Sequence, residues 1–240
     1  MELENKRKKA VITGGTKGIG RALVDQFAAQ GFDIAVCART SADLDQLRSD
    51  MRETYPSMHT LVQPTDMADW KAVQQFGQHI LDEWAQVDVL IHNAALFQPG
   101  NLLDEPTGRL ENTLAVNVHG AYHLTRQLLP GMLARRSGHI FTICSVASQR
   151  AYPDCASYVI AKFALLGFTK VLREETQTAG VRVTAVLPGA TLTNSWDGVS
   201  LPENRIMPPE DIARAVWSAY ELSPTTVVEE LILRPQRGDL

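Results

Sequence analysis

Tyr158 and Lys162 stand four positions apart at the start of an amphipathic stretch, and their side-chain types point to proton transfer. On a helix that spacing puts both on one face, one turn apart. A phenol with an ordinary pKa of about 10 is a poor acid or base near neutrality. A neighbouring ammonium group favours phenolate and is expected to draw that value toward the working range. Thirteen residues before the tyrosine, Ser145 closes an apolar run, where its hydroxyl can bond a substrate carbonyl oxygen. Asn117 lies further upstream in Val116-Asn117-Val118, with an amide suited to hold a water that passes protons to Lys162. Each has an ordinary alternative. Tyr and Lys at this spacing decorate many helices, a serine after a strand often caps a turn, and a mid-helix asparagine can satisfy a kink.

A second constellation sits near the N-terminus. Lys9–Thr13 is a short β-branched apolar run, followed by Gly14-Gly15-Thr16-Lys17-Gly18-Ile19-Gly20. Glycines between a strand and a helix allow a tight turn and close approach of the backbone to a pyrophosphate. The helix beginning near Gly18 adds oriented N–H groups and the positive end of its dipole. A site for a dinucleotide lacking a 2′-phosphate usually carries an acid at the end of the next strand, bonded to the ribose 2′-hydroxyl. Here that strand ends Ala38-Arg39-Thr40. A guanidinium at Arg39 can fork onto a 2′-phosphate and stack on adenine. Lys17 offers a second positive charge.

The elements that must position these groups follow from the alternation. Apolar runs at Lys9–Thr13, Asp33–Cys37, Thr60–Gln63, Val87–His92, His139–Ser145, Arg182–Leu187 and Val227–Leu233 read as strands. Amphipathic stretches at Gly20–Gln30, Ala42–Thr54, Met67–Trp84, Gly108–Arg136, Ala156–Ala179 and Pro209–Leu222 separate them. Strands that are apolar throughout, alternating with helices, predict a parallel sheet covered on both faces. Right-handed crossovers then make the fold class α/β: a single-domain, Rossmann-type, doubly wound parallel sheet of about seven strands. Ligands of such sheets bind at the carboxyl ends of the strands.

Bulk properties narrow the classes. With 240 residues and 45% apolar composition, the chain suits one domain with one substantial core. Net charge is −4, with the signs interspersed, so no basic patch argues for nucleic acid. No apolar run reaches membrane-spanning length, and the charged start lacks an export signal's apolar segment. The three cysteines, Cys37, Cys144 and Cys155, form no Cys-x-x-Cys pair, which argues against zinc or a disulfide framework and for a reducing cytoplasm.

The turn Thr13-Gly14-x-x-x-Gly18-x-Gly20, together with Asn117, Ser145, Tyr158 and Lys162 in this order and spacing, resembles the short-chain dehydrogenase/reductase family from about residue 8 to the C-terminus. The resemblance implies an NADP(H)-dependent oxidoreductase acting on a small carbonyl compound. A hydride passes to the carbonyl carbon, Ser145 steadies the oxyanion, and Tyr158 donates the proton. Lys162 tunes Tyr158 and bonds the nicotinamide ribose, and Asn117 with water restores the proton. It places Gly14, Thr16, Lys17, Gly18 and Ile19 at the phosphates and Arg39 with Thr40 at the adenosine phosphate. Asp66 and Met67 fall at the adenine, although Asp66 reads equally well as the N-cap of the next helix. Asn93 and Ala94 fall at the ribose side, where Ala95 departs from the family's glycine. Pro188, Gly189, Thr191 and Thr193 fall at the nicotinamide. Homodimers or homotetramers built on the two longest helices are expected.

The substrate is less legible. By resemblance, residues 193–208 form a lid carrying Trp196 and Leu201. Leu96, Phe97, Val146, Gln149, Tyr152 and Cys155 are further candidates for the pocket, whose aromatic edge suits a flat or apolar ketone. Met207–Ala213 and Thr226–Pro235 are similar to bacterial sepiapterin-reductase-like members, which implies a pterin side-chain ketone. Reduction of 3-oxoacyl thioesters is the rival activity. An NADP-binding redox sensor is the rival class; such proteins typically lack the tyrosine or the lysine.

Overall fold

The computed structural model describes residues 7–193, 202 and 205–238. Seven parallel strands form one sheet: β1 (Lys9–Thr13), β2 (Asp33–Ala38), β3 (Thr60–Pro64), β4 (Val89–His92), β5 (Gly138–Ile143), β6 (Val181–Pro188) and β7 (Glu230–Leu233). Their order is β3-β2-β1-β4-β5-β6-β7, so the winding reverses between β1 and β4. That reversal opens the crevice in which such sheets bind ligands. The expected doubly wound architecture is the observed one.

The strand residues divide between two apolar layers, as the two-residue period of a strand requires. Ala10, Ile12, Ile34, Val36 and Ile91 face one layer, closed by Leu23 and Phe27 of α1 (Gly18–Ala29), Leu44 and Leu47 of α2 (Ser41–Thr54), and Ile212 and Val216 of α7 (Pro209–Glu221). Val11, Ala35, Leu90 and Ile140 face the other, closed by Val73, Phe76 and Ile80 of α3 (Trp70–Glu83) and by Leu124, Leu128 and Met132 of α5 (Gly120–Arg135). Leu165 and Leu166 of α6 (Ala156–Thr176) cover Ala185 and Leu187 of β6. Each large aliphatic side chain fully buried in these layers contributes about 1.5–3 kcal/mol.

Local chemistry moves several expected boundaries. The third helix starts at Trp70 rather than Met67, because the Asp69 carboxylate accepts the Lys71 N–H at 2.9 Å and caps it. Asp66 is therefore not that cap; it closes a tight turn by accepting the Ala68 N–H. The last strand is an edge strand that begins at Glu230 and leaves Ile232 half exposed, so burial on both faces does not extend to it. The long fourth helix is interrupted. α4 (Arg109–Leu114) runs into a π-turn at Ala115–His119 before α5 continues, and Asn117 lies in that turn. Single π-turns of this kind gather at functional sites.

Candidate active site

A crevice of about 910 Å³ crosses the carboxyl ends of β1 to β6. At one end is the glycine turn. Gly14 has φ +67° and donates its N–H to the Cys37 carbonyl at 2.8 Å. A Cβ at Gly20 would lie 2.1 Å from the Gly14 oxygen and 2.4 Å from Asn93 Nδ2, so only glycine fits there. Asn93 holds this turn by donating through Nδ2 to the carbonyls of Thr13 and Gly14, both at 3.0 Å. In return the Thr13 hydroxyl oxygen accepts the N–H groups of Asn93 and Ala94. α1 begins with no side-chain cap and no acidic residue in its first turn. Its leading N–H groups therefore remain able to bond an anion, and Thr16, Lys17, Gly18 and Ile19 line the crevice beside them.

Next along the wall come Arg39, Thr40, Asp66 and Met67. Arg39 is exposed, and among the described residues it forms no ion pair. Lys17, the expected second positive charge, lines the crevice and is paired: its Nζ lies 2.8 Å from Asp43 Oδ2, and Asp43 also lines the crevice.

The opposite end gathers Ser145, Tyr158, Lys162, Pro188, Gly189, Thr191 and Thr193. Ser145 leaves β5 and caps the short turn Val146–Ser148, its Oγ accepting the Ala147 N–H at 3.1 Å and facing the Pro188 carbonyl at 3.5 Å. It is thus both the cap that its position allows and a hydroxyl in the crevice wall. Lys162 is 2% exposed, and its Nζ donates to the Ile143 carbonyl at 2.8 Å. The same Nζ lies 5.5 Å from the centre of the Tyr158 ring. Phe97 meets that ring edge to face at 4.9 Å, which fixes its plane. Glu105 anchors the N-terminal end of α6, accepting the Ser157 N–H at 3.0 Å and the Ser157 hydroxyl.

The electrostatics correct one expectation. Burial pushes the Tyr158 phenol up to about 12, with the Ser145 hydroxyl pulling the other way. Burial pulls Lys162 down to about 8, partly opposed by Cys144. In the protein alone desolvation, reinforced by the Cys155 and Cys144 thiols, outweighs the pull of the Ser145 hydroxyl, so near neutrality the phenol holds its proton.

The Asn117 amide is engaged on both sides by Leu96. Oδ1 accepts the Leu96 N–H at 2.6 Å and Nδ2 donates to the Leu96 carbonyl at 3.2 Å, which pins the segment carrying Phe97. The π-turn around Asn117 packs against α6, the helix of Tyr158 and Lys162. Gln149 turns away from the crevice and donates to Glu230 Oε2 at 2.6 Å. Tyr152 lines the crevice, with the Arg150 guanidinium 5.8 Å from its ring centre. Trp196 lies outside the described residues, as do Leu201 and most of the expected lid. Asp43 and Glu105 escaped sequence reasoning, since each acts on a partner in a distant element. The one signal available for Asp43 was its place one helical turn beyond Arg39.

Comparison with known proteins agrees with this geometry. Residues 8–204 match the family model described as short chain dehydrogenase. The chain is similar to the sepiapterin reductase of Chlorobaculum tepidum, 35% identical over 238 residues that cover 96% of this chain and 97% of that one. Its fold is similar to an alcohol dehydrogenase from the archaeon Thermococcus sibiricus solved with 5-hydroxy-NADP, with TM-score 0.89, 26% identity and 96% and 97% of the two chains covered. A metagenomic short-chain oxidoreductase solved with NADP gives TM-score 0.83 at 26% identity, with 95% and 97% covered. A sheet wound this way, a glycine turn pinned from β4, and a family match across most of the length converge: the chain belongs to the short-chain dehydrogenases, oxidoreductases that interconvert CH–OH and C=O groups.

Proposed function

We propose that the chain is an NADP(H)-dependent carbonyl reductase with Tyr158 as its proton donor. One observation carries this reading: Tyr158, Lys162 and Ser145 share one end of a crevice whose other end holds the glycine turn and Arg39. The uncapped start of α1 and the Gly14–Gly20 contact suit a pyrophosphate. Arg39 suits a 2′-phosphate, and Asp66 and Met67 suit the adenine. Asn93, Ala94, Tyr158 and Lys162 would hold the riboses, and Pro188, Gly189, Thr191 and Thr193 the nicotinamide. NADP-bound structural relatives support the choice of cofactor. When bound, the cofactor supplies the hydride.

The chain's own residues handle the proton. Ser145 Oγ orients the carbonyl oxygen and bonds it as negative charge develops, a contribution made where the charge appears. Tyr158, protonated near neutrality, gives its proton to that oxygen; an alkoxide is a far stronger base than a phenolate, so the transfer runs downhill. The Lys162 ammonium then lies beside the phenolate and stabilises it. Asn117 serves indirectly, by fixing Leu96 and with it Phe97 against Tyr158.

The substrate end is walled by Leu96, Phe97, Pro99, Val146, Tyr152 and Pro153, which suits a flat, weakly polar ketone. A pterin side-chain ketone is the favoured case, supported by the full-length similarity to a sepiapterin reductase. Retention of both Tyr158 and Lys162 favours turnover over a sensor role. Exposed Tyr122, Phe163 and Val171 on α5 and α6 support a homodimer or homotetramer, and the buried free thiols Cys37 and Cys144 suit a reducing cytoplasm.

The test follows NADPH absorbance against diketones, quinones, pterins and 3-oxoacyl thioesters. Tyr158→Phe should lower kcat by about 10²–10⁴ with NADPH binding intact. A Tyr158→Phe protein that turns over at the wild-type rate would refute the assignment.

A further inference from the structure

We propose that Asp43 is a specificity-determining residue: by holding Lys17 in an ion pair at the adenosine end of the crevice, it limits preference for a 2′-phosphorylated dinucleotide. The inference rests on the reading of that end as a 2′-phosphate site. Asp43 lies in the first turn of α2, at the helix end whose dipole attracts negative charge. Its Oδ2 is 2.8 Å from Lys17 Nζ, and the carboxylate is the less exposed partner, at 29% against 57%. Both residues line the crevice with Arg39 and Thr40. Arg39 enters no ion pair among the described residues, so the site's two cations are not equivalent.

A phosphate arriving at this wall meets Arg39 directly, but must draw Lys17 from a carboxylate of its own sign. A ribose with a free 2′-hydroxyl meets the same carboxylate as a hydrogen-bond acceptor. One side chain therefore disfavours the phosphorylated ligand and favours the unphosphorylated one. The result is a crevice that accepts both dinucleotides with a modest preference, rather than one that excludes NADH.

Calorimetric titration of the full chain with 2′,5′-ADP and 5′-AMP tests this, because these fragments separate the 2′-phosphate from the reacting end. Asp43→Asn keeps the side-chain size and removes the charge. It should tighten 2′,5′-ADP by about three- to tenfold, while 5′-AMP stays unchanged or weakens. The gain should shrink at high salt and vanish in a Lys17→Met background. Thermal melts of Asp43→Asn and Asp43→Ala establish that both fold. If Arg39→Ala selectively weakens 2′,5′-ADP but Asp43→Asn leaves the ratio of the two affinities within twofold of wild type, the Asp43 inference is overturned and the phosphate site stands. If wild type binds 2′,5′-ADP no better than 5′-AMP and Arg39→Ala changes neither, the phosphate reading falls and takes this inference with it.

Discussion

Two buried histidines should make the fold acid-labile well above the range in which carboxylates titrate. His92, at the end of β4, is 3% exposed and shares a 2.7 Å hydrogen bond through Nε2 with the Thr125 hydroxyl. His139, on β5, is 1% exposed, pairs with the Thr184 hydroxyl at 2.8 Å and stacks on Phe141. Neither Nδ1 has a hydrogen-bond partner among the described residues, so a second proton would have nothing to bond. Burial pulls His92 down to about 3 and His139 down to about 2, from an ordinary 6.5. The unfolded chain therefore takes up protons below 6.5 that the folded chain refuses. Stability is whole above that value and falls as pH drops toward the folded values. One histidine costs about 1.4 kcal/mol per pH unit; two units below 6.5 the pair costs about 5 kcal/mol. That approaches the whole stability of many domains, about 5–15 kcal/mol. Urea unfolding at stepped pH from about 7.5 to 4.5 measures the slope. Replacing each ring together with its hydroxyl partner, as His92→Phe/Thr125→Val and His139→Phe/Thr184→Val, should flatten the slope by about 1.4 kcal/mol per pH unit per pair. Carboxylates titrate alike in all these proteins and cancel in the difference. Stability curves of variant and wild type that run parallel over this range would refute the argument.

The remaining expectations concern the crevice. Because burial places Lys162 near 8 and Tyr158 near 12, carbonyl reduction should decline as pH rises through about 8, while the phenol is still protonated. Lys162→Arg should move that decline upward, and a pH–rate profile unchanged by the substitution would count against the lysine's part. Gly20→Ala drives a methyl group into the Gly14 carbonyl and should cost about 1–3 kcal/mol of stability together with most dinucleotide affinity; a variant that binds NADPH normally contradicts the geometry. Removing the Glu105 carboxylate frees the helix end that carries Tyr158. Glu105→Ala should lower kcat by about tenfold with NADPH affinity unchanged, and Glu105→Gln, which still accepts the Ser157 N–H, should recover most of it. Equal losses in both variants would mean that the anchor does not position the phenol.

What the sequence disclosed depended on how far apart the cooperating groups lie. The inner strands were legible because burial on both faces leaves mostly apolar residues, and the glycine turn because its backbone demands are local. Tyr158 and Lys162 were legible because one helix sets their spacing. What the sequence left out were the partners drawn together by the fold. Lys17 met Asp43 from the next helix, Gln149 met Glu230 on the edge strand, and the Asn117 amide met the Leu96 backbone. Asp66 read as an adenine contact or as the helix cap; the helix took Asp69 as its cap because that carboxylate reaches the Lys71 amide.

The same distinction explains the reversed phenol. Reasoning from the pair alone gives Tyr158 a nearby cation and a lowered pKa. In the fold, the helix that aligns the pair also buries it, and the lysine's Nζ turns to the Ile143 carbonyl, 5.5 Å from the centre of the ring. Desolvation then acts on both groups at once, raising the acid and lowering the base. A site built this way holds its proton until a stronger base than phenolate appears beside it. The developing alkoxide of a reduced ketone is such a base, and bulk water is not. Under the proton-donor role proposed for Tyr158, burial of the pair serves the direction of transfer: the proton stays on Tyr158 while the crevice waits and leaves when the carbonyl oxygen takes up charge.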